Sequence, residues 1–220
     1  MEKIIAFTEY RRNAKGEKMK QEMEYKKFLE ILRKRPKDIK DMPARAQDVL
    51  DFFKIKNFSS GVPIVGILSN LEFGIFQSNL EPSSLSAYIA VDPKFESVFG
   101  ASKITCVNVN DNAGHKRFAL AHELGHYIFD FDDNKMIRYY NTYFVNQEED
   151  SQGELRVNQF AANLLMPAKI FMEKYNEYKK LQSKADIVNA LCKYFIVSPT
   201  AVLKRFSELG VKEFENVMEI

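Results

Sequence analysis

At 220 residues, with 45% hydrophobic and 28% charged side chains, the chain is long enough to bury a real core and ordinary enough in composition to exclude a disordered or fibrous protein. No apolar run approaches the ~18 residues that span a membrane, and the start Met1-Glu2-Lys3-Ile4-Ile5-Ala6-Phe7 lacks the apolar core of a secretory signal, so the expectation is a cytoplasmic protein. The two isolated cysteines, Cys106 and Cys192, exclude a disulfide framework and a thiolate metal site, and the net charge of +2 says little about partners.

Charge is nonetheless uneven: residues 1–50 carry 14 Lys+Arg against 9 Asp+Glu, a mixed run that reads as a solvated helical face rather than a nucleic-acid patch. Strong helix formers predict a helix over 17–35, stopped by Pro36-Lys37-Asp38. A second helix opens at Pro43, where a first-turn proline is tolerated, and runs to about 54. Ser59-Ser60-Gly61 is a loop, and Pro63 starts a short helix to Asn70. The period then changes. Segments 73–78, 86–92 and 104–110 are rich in β-branched and aromatic residues and read as strands. Asp111-Asn112-Ala113-Gly114 turns into a helix over about 117–131, with Asp111 or Asn112 as its cap. Residues 130–150 are polar and irregular, longer than an ordinary connection, and carry Tyr139, Tyr140 and Tyr143. Helices follow over 153–166, stopped by Pro167, and over 168–178, 184–195 and 199–209. The expected fold is α+β: a sheet of three strands or more packed on the 117–131 helix, with a basic helical extension (1–60), a central domain (61–183) and a helix-turn-helix-like tail (184–220).

Within the 117–131 helix stands His122-Glu123-Leu124-Gly125-His126, a match to H-E-x-x-H. Residues four apart share a helix face, so both imidazoles reach one metal ion while Glu123 projects beside them. Zinc suits neutral imidazole ligands and keeps an open position for water, whose proton a neighbouring carboxylate can take. The surrounding residues, from Phe118 to Phe131, leave the helix almost no polar side, which by itself says only that it is buried. A purely structural Glu123 would then be a carboxylate among hydrophobic neighbours, at a cost of several kcal/mol.

Two histidines do not complete such a site, which needs three protein ligands. His115, two turns earlier, is out of reach and reads as a surface residue. Carboxylates remain. Asp132 falls ten residues after His122, but Phe129 stands where a sharp reversal wants glycine. The run Asp130-x-Asp132-x-Asn134 is no calcium loop, since Lys135 and Asn141 occupy its glycine and twelfth-position acid places, and these acids read as solvated helix-terminating groups. Glu154 is the other candidate. It lies four residues before Asn158 on one helical face.

Arg117-Phe118-Ala119-Leu120-Ala121-His122-Glu123-Leu124-Gly125-His126-Tyr127 resembles the active-site helix of the ImmA/IrrE family of metallopeptidases. Glu154-Leu155-Arg156-Val157-Asn158-Gln159-Phe160-Ala161-Ala162-Asn163-Leu164-Leu165-Met166-Pro167 resembles that family's second signature, with Val157 where alanine is common. Val62-Pro63-Ile64-Val65 and the strand end at Val107-Asn108 also fit its layout, so the resemblance covers roughly residues 62–210. It implies a zinc endopeptidase with Glu154 as third ligand and Glu123 as catalytic base. It leaves Asn158 to hydrogen-bond a ligating histidine and fix its ring. It also makes a helix-turn-helix repressor the first protein substrate to try. An extended substrate can pair with a sheet edge, for which the strand ending at Asn110 is a candidate; no oxyanion donor is assigned, and the three loop tyrosines, candidates only by their place in the long loop, read as ordinary loop or packing residues. A rival reading is a DNA-binding or protein-interaction regulator built on segment 191–206, but Lys193, Lys204 and Arg205 are few for a phosphate footprint. A third is a toxin or host-interaction module recognised through the basic N-terminal helices.

Overall fold

This computed structural model describes residues 2–3, 15–131, 138–140, 151–181 and 183–214. The chain runs through strand β1 (Glu2–Lys3), helices α1 (Lys15–Lys34), α2 (Met42–Phe52) and α3 (Ile64–Asn70), strands β2 (Phe73–Ser78) and β3 (Ala87–Val91), helix α4 (Phe95–Phe99) and strand β4 (Lys103–Asn108). Helix α5 (Ala113–Phe129), strand β5 (Arg138–Tyr140) and helices α6 (Ser151–Leu165), α7 (Ala168–Tyr178), α8 (Lys184–Phe195) and α9 (Pro199–Glu208) complete it. The architecture is α+β.

The three expected strands are present, and two short ones flank them: the sheet order is β1-β2-β4-β3-β5. Strands β2 and β4 run parallel, Phe73 opposite Lys103, and the other pairs are antiparallel. The strand expected to offer an edge to a substrate does not. Strand β4 is bonded on both sides, to β2 and to β3, so its backbone groups are already used. Strand alternation reports which face a side chain takes but not which neighbours the backbone finds.

Both faces of the sheet are covered. Phe73 and Ile75, Ala87 and Ile89, and Val107 face the helices in the main core. Phe76, Ala90, Ile104 and Cys106 point the other way and form a smaller cluster closed by Phe95 and Phe99 on α4, a helix too short for periodicity to show. The main cluster draws on all three expected segments of the chain: Leu29, Leu32, Met42 and Val49 from the N-terminal helices, the α5–α6 pair, and Leu191, Phe195, Val202 and Phe206 from the C-terminal ones.

Local chemistry sets the helix ends. Asn112 caps α5, its side chain accepting from the His115 N–H. Ser183 and Ser198 do the same for α8 and α9, and Pro199 occupies the first turn of α9. Between them Ile196 takes a left-handed conformation (φ 54°) that turns the chain. Arg205, counted among the basic groups of that tail, is 3% exposed. Its guanidinium donates to the Met166 carbonyl, Asn163 Oδ1 and Glu208 Oε2, so it fastens α9 to α6 and is no phosphate contact. Among the described residues no single helix is long and apolar enough to cross a membrane; the α8–α9 pair passes on length and composition together but is bent by 101°.

Candidate metal centre

Every residue of α5 from Ala119 to Phe129 is buried, because the helix is covered by the sheet on one side and by α6 on the other. Gly125 sets how close α6 comes. A Cβ there would lie 3.1 Å from Phe160 Cδ1 and 3.2 Å from Val157 Cβ, tight enough that α6 would have to give by a few tenths of an ångström. One turn before Val157 on α6 stands Glu154, which the approach carries to the histidines of α5.

The three donors converge. His122 Nε2 and His126 Nε2 are 2.9 Å apart, Glu154 Oε2 is 3.3 Å from the first and Oε1 is 3.3 Å from the second. Among the described residues these three form the one cluster of His, Cys, Asp and Glu whose ligand atoms all lie within 4.8 Å of one another. A tetrahedral ion with metal–nitrogen bonds of about 2.0–2.1 Å spaces its donors by about 3.3 Å, so the arrangement fits one.

The hydrogen bonds at the far side of each ring carry the fit test further. His126 Nδ1 lies 2.9 Å from Asp130 Oδ2, and an ionised carboxylate can only accept, which puts the ring proton on Nδ1. His122 Nδ1 lies 3.0 Å from the Asn158 side-chain carbonyl, with the same consequence. Both Nε2 lone pairs therefore face each other. Two lone pairs at that separation need a cation or a proton between them. Glu154 Oε1 is buried with the His126 ring nitrogen as its contact, 3.3 Å away and poorly aligned for a hydrogen bond, as an oxygen aimed at a shared centre would be.

Without metal a proton fills that role. Burial pulls His126 down, but hydrogen bonds to Asp130 and Glu154 and the charges of Glu123 and Glu154 outweigh it and carry its pKa up to about 9. Burial pushes Glu154 up, yet the hydrogen bonds and charges of His122 and His126 hold it down at about 2. Metal must displace the imidazole proton at any pH below about 9. Apparent metal affinity is thus expected to rise about tenfold per pH unit between 7 and 9 and then to level, with about one proton released per ion at neutral pH. Calorimetric titration in buffers of different ionisation heat measures that proton, and an affinity flat from pH 7 to 9 would contradict it.

Glu123 has no place among the donors. It is 2% exposed, and its Oε2 is buried without a partner. Burial raises its pKa to about 7 against the pull of His122 and His126, with Glu154 adding to the rise. A carboxylate poised near neutrality can both accept and return a proton.

The solvated reading of Asp130 is corrected: its side chain is 13% exposed, held between His126 and Arg156, whose Nη2 donates to Oδ1. The usable signal was its position four residues after His126, on the same helix face. Arg156, two residues beyond Glu154, was not singled out from the sequence at all. His115 is exposed, as expected, beside Ser86 Oγ (3.1 Å) and Asp111 Oδ1 (3.6 Å). Asp132 and Tyr143 lie outside the described residues, and of Tyr139 and Tyr140 only the backbone, in β5, is described.

Against known families, the model of the IrrE N-terminal-like domain, peptidase family M78, matches residues 75–207. No curated protein matches the chain.

Proposed function

The chain belongs to the IrrE N-terminal-like family of M78 peptidases, and from that premise we propose that it is a cytoplasmic zinc-dependent endopeptidase acting on a protein substrate. The observation that carries the reading is the meeting of His122, His126 and Glu154, with the buried Glu123 carboxyl close enough to feel all three and its Oε2 without a hydrogen bond. Two imidazoles and one carboxylate are a donor set that favours zinc with an open fourth position. Bound there, zinc supplies a Lewis acid that polarises the scissile carbonyl and makes water acidic near neutral pH.

The chain's own residues supply the rest. Asp130 and Asn158 hold the imidazole rings by their Nδ1 protons, so each Nε2 presents a lone pair. Glu123 accepts a proton from the attacking water and returns it to the leaving amine as the peptide bond breaks. Its hydrophobic surroundings keep competing water away and hold the carboxyl near the pKa this double task needs.

A helix-turn-helix repressor of a mobile element or stress response is the first substrate to try, on the strength of the family resemblance. The test is capture. Full-length protein carrying Glu123→Gln, loaded with zinc, is expected to retain a co-expressed repressor that the wild type cleaves. Cleavage by the variant at the wild-type rate would remove the mechanism. A wild type that leaves every repressor intact while cleaving an unrelated protein would remove the substrate class only.

A further inference from the structure

The last turn of α5 carries both His126 and, at its C-cap, Asp130. Among the described residues its last regular bond is the Asp130 N–H to the His126 carbonyl, and the carbonyls of Tyr127, Ile128 and Phe129 in this turn accept from side chains of the N-terminal segment. Cations from α1 and the residues after it reach these carbonyls. Arg33 donates through Nε to the Ile128 carbonyl (3.2 Å) and through Nη2 to that of Tyr127 (3.0 Å), and its guanidinium lies over the Tyr127 ring. Lys37 donates to the Phe129 carbonyl. Arg156 arrives from α6, bonding Asp130 and lying over the Phe129 ring.

An acid at a helix C-terminus is opposed by the helix dipole, and three cations gathered there offset it. Arg33 and Lys37 lie before residue 75, outside the residues that the family model matches. We propose that Arg33 and Lys37 are positioning residues for the metal centre: they hold the end of α5 so that Asp130 stays on His126 Nδ1 and Nε2 keeps its lone pair toward the ion. The basic N-terminal extension thereby acts on the site from behind, through backbone carbonyls rather than by touching substrate. The inference rests on the metal-centre reading given above.

The full chain with Arg33→Gln and Lys37→Gln together tests it, beside a cation-keeping pair, Arg33→Lys with Lys37→Arg. The glutamine pair is expected to weaken zinc binding by about tenfold or more, the range that loss of an outer partner produces, and the cation-keeping pair to recover most of it. In the metal-free protein, amide exchange at Asp130 should quicken while that at Leu120, in the first half of α5, stays put. Unchanged zinc affinity in a folded glutamine pair, or exchange raised evenly along α5, would overturn the proposal. Should the double variant not fold, Lys37→Gln alone, at an exposed position beyond α1, gives the same two readouts on a smaller scale. A wild type that binds no zinc would remove the peptidase reading, and the exchange pattern of the metal-free chain would still decide the clamp.

Discussion

Replacing Glu123 with glutamine is expected to cut peptide hydrolysis by about 10²–10⁴-fold, the usual contribution of a positioned acid–base group, while zinc content stays at the wild-type value. The substitution keeps shape and volume in a site where the side chain is 2% exposed, so packing against the buried length of α5 survives. It removes only the ability to take a proton. Glu123 is not among the converging donors, which is why metal content and activity should separate. Turnover assays with metal analysis on the same preparation read both quantities. Hydrolysis within tenfold of wild type would show that another group moves the proton.

Glu154→Ala should do the opposite: zinc affinity falls by more than about 100-fold, beyond what loss of an outer partner produces, and activity is lost with the metal. The reason lies in where the donors come from. His122 and His126 share one helix face, but two imidazoles alone leave the ion short of a ligand, and Glu154 is the one carboxylate among the described residues that reaches both rings. Asp132→Ala is the paired control and should keep its zinc. If Asp132→Ala lost the metal and Glu154→Ala kept it, the ligand set proposed here would be wrong.

Much of this was legible in the sequence because it is local. Helices α7 and α8 and strand β2 fall where the periods put them, since each is bounded by residues that act within a few positions: Pro167, Ser183, and the change of period after Asn70. The histidine pair is legible for the same reason. What escaped depends on approach between elements. Gly125 carries no sign in sequence of the close approach of Val157 and Phe160 on α6 to its bare Cα. Asp130 reads as a solvated acid because its partners, Arg156 and the imidazole it orients, complete it only in space. Arg33 meets Ile128 across 95 residues, and no spacing rule connects them. The centre-sheet position of β4 belongs to the same class, since pairing is decided by neighbours and not by alternation within a strand.

The proposed ligands come from two helices, α5 and α6, joined by the chain between Phe129 and Ser151. An ion holding them is thus a removable cross-link that only the folded chain can offer in full. Free metal at a hundred times its dissociation constant would deepen folded stability by about 2.7 kcal/mol, a large share of the 5–15 kcal/mol typical of a whole domain. The amount of intact protein would then follow the free-ion concentration around it, so that metal starvation would lower abundance as well as activity.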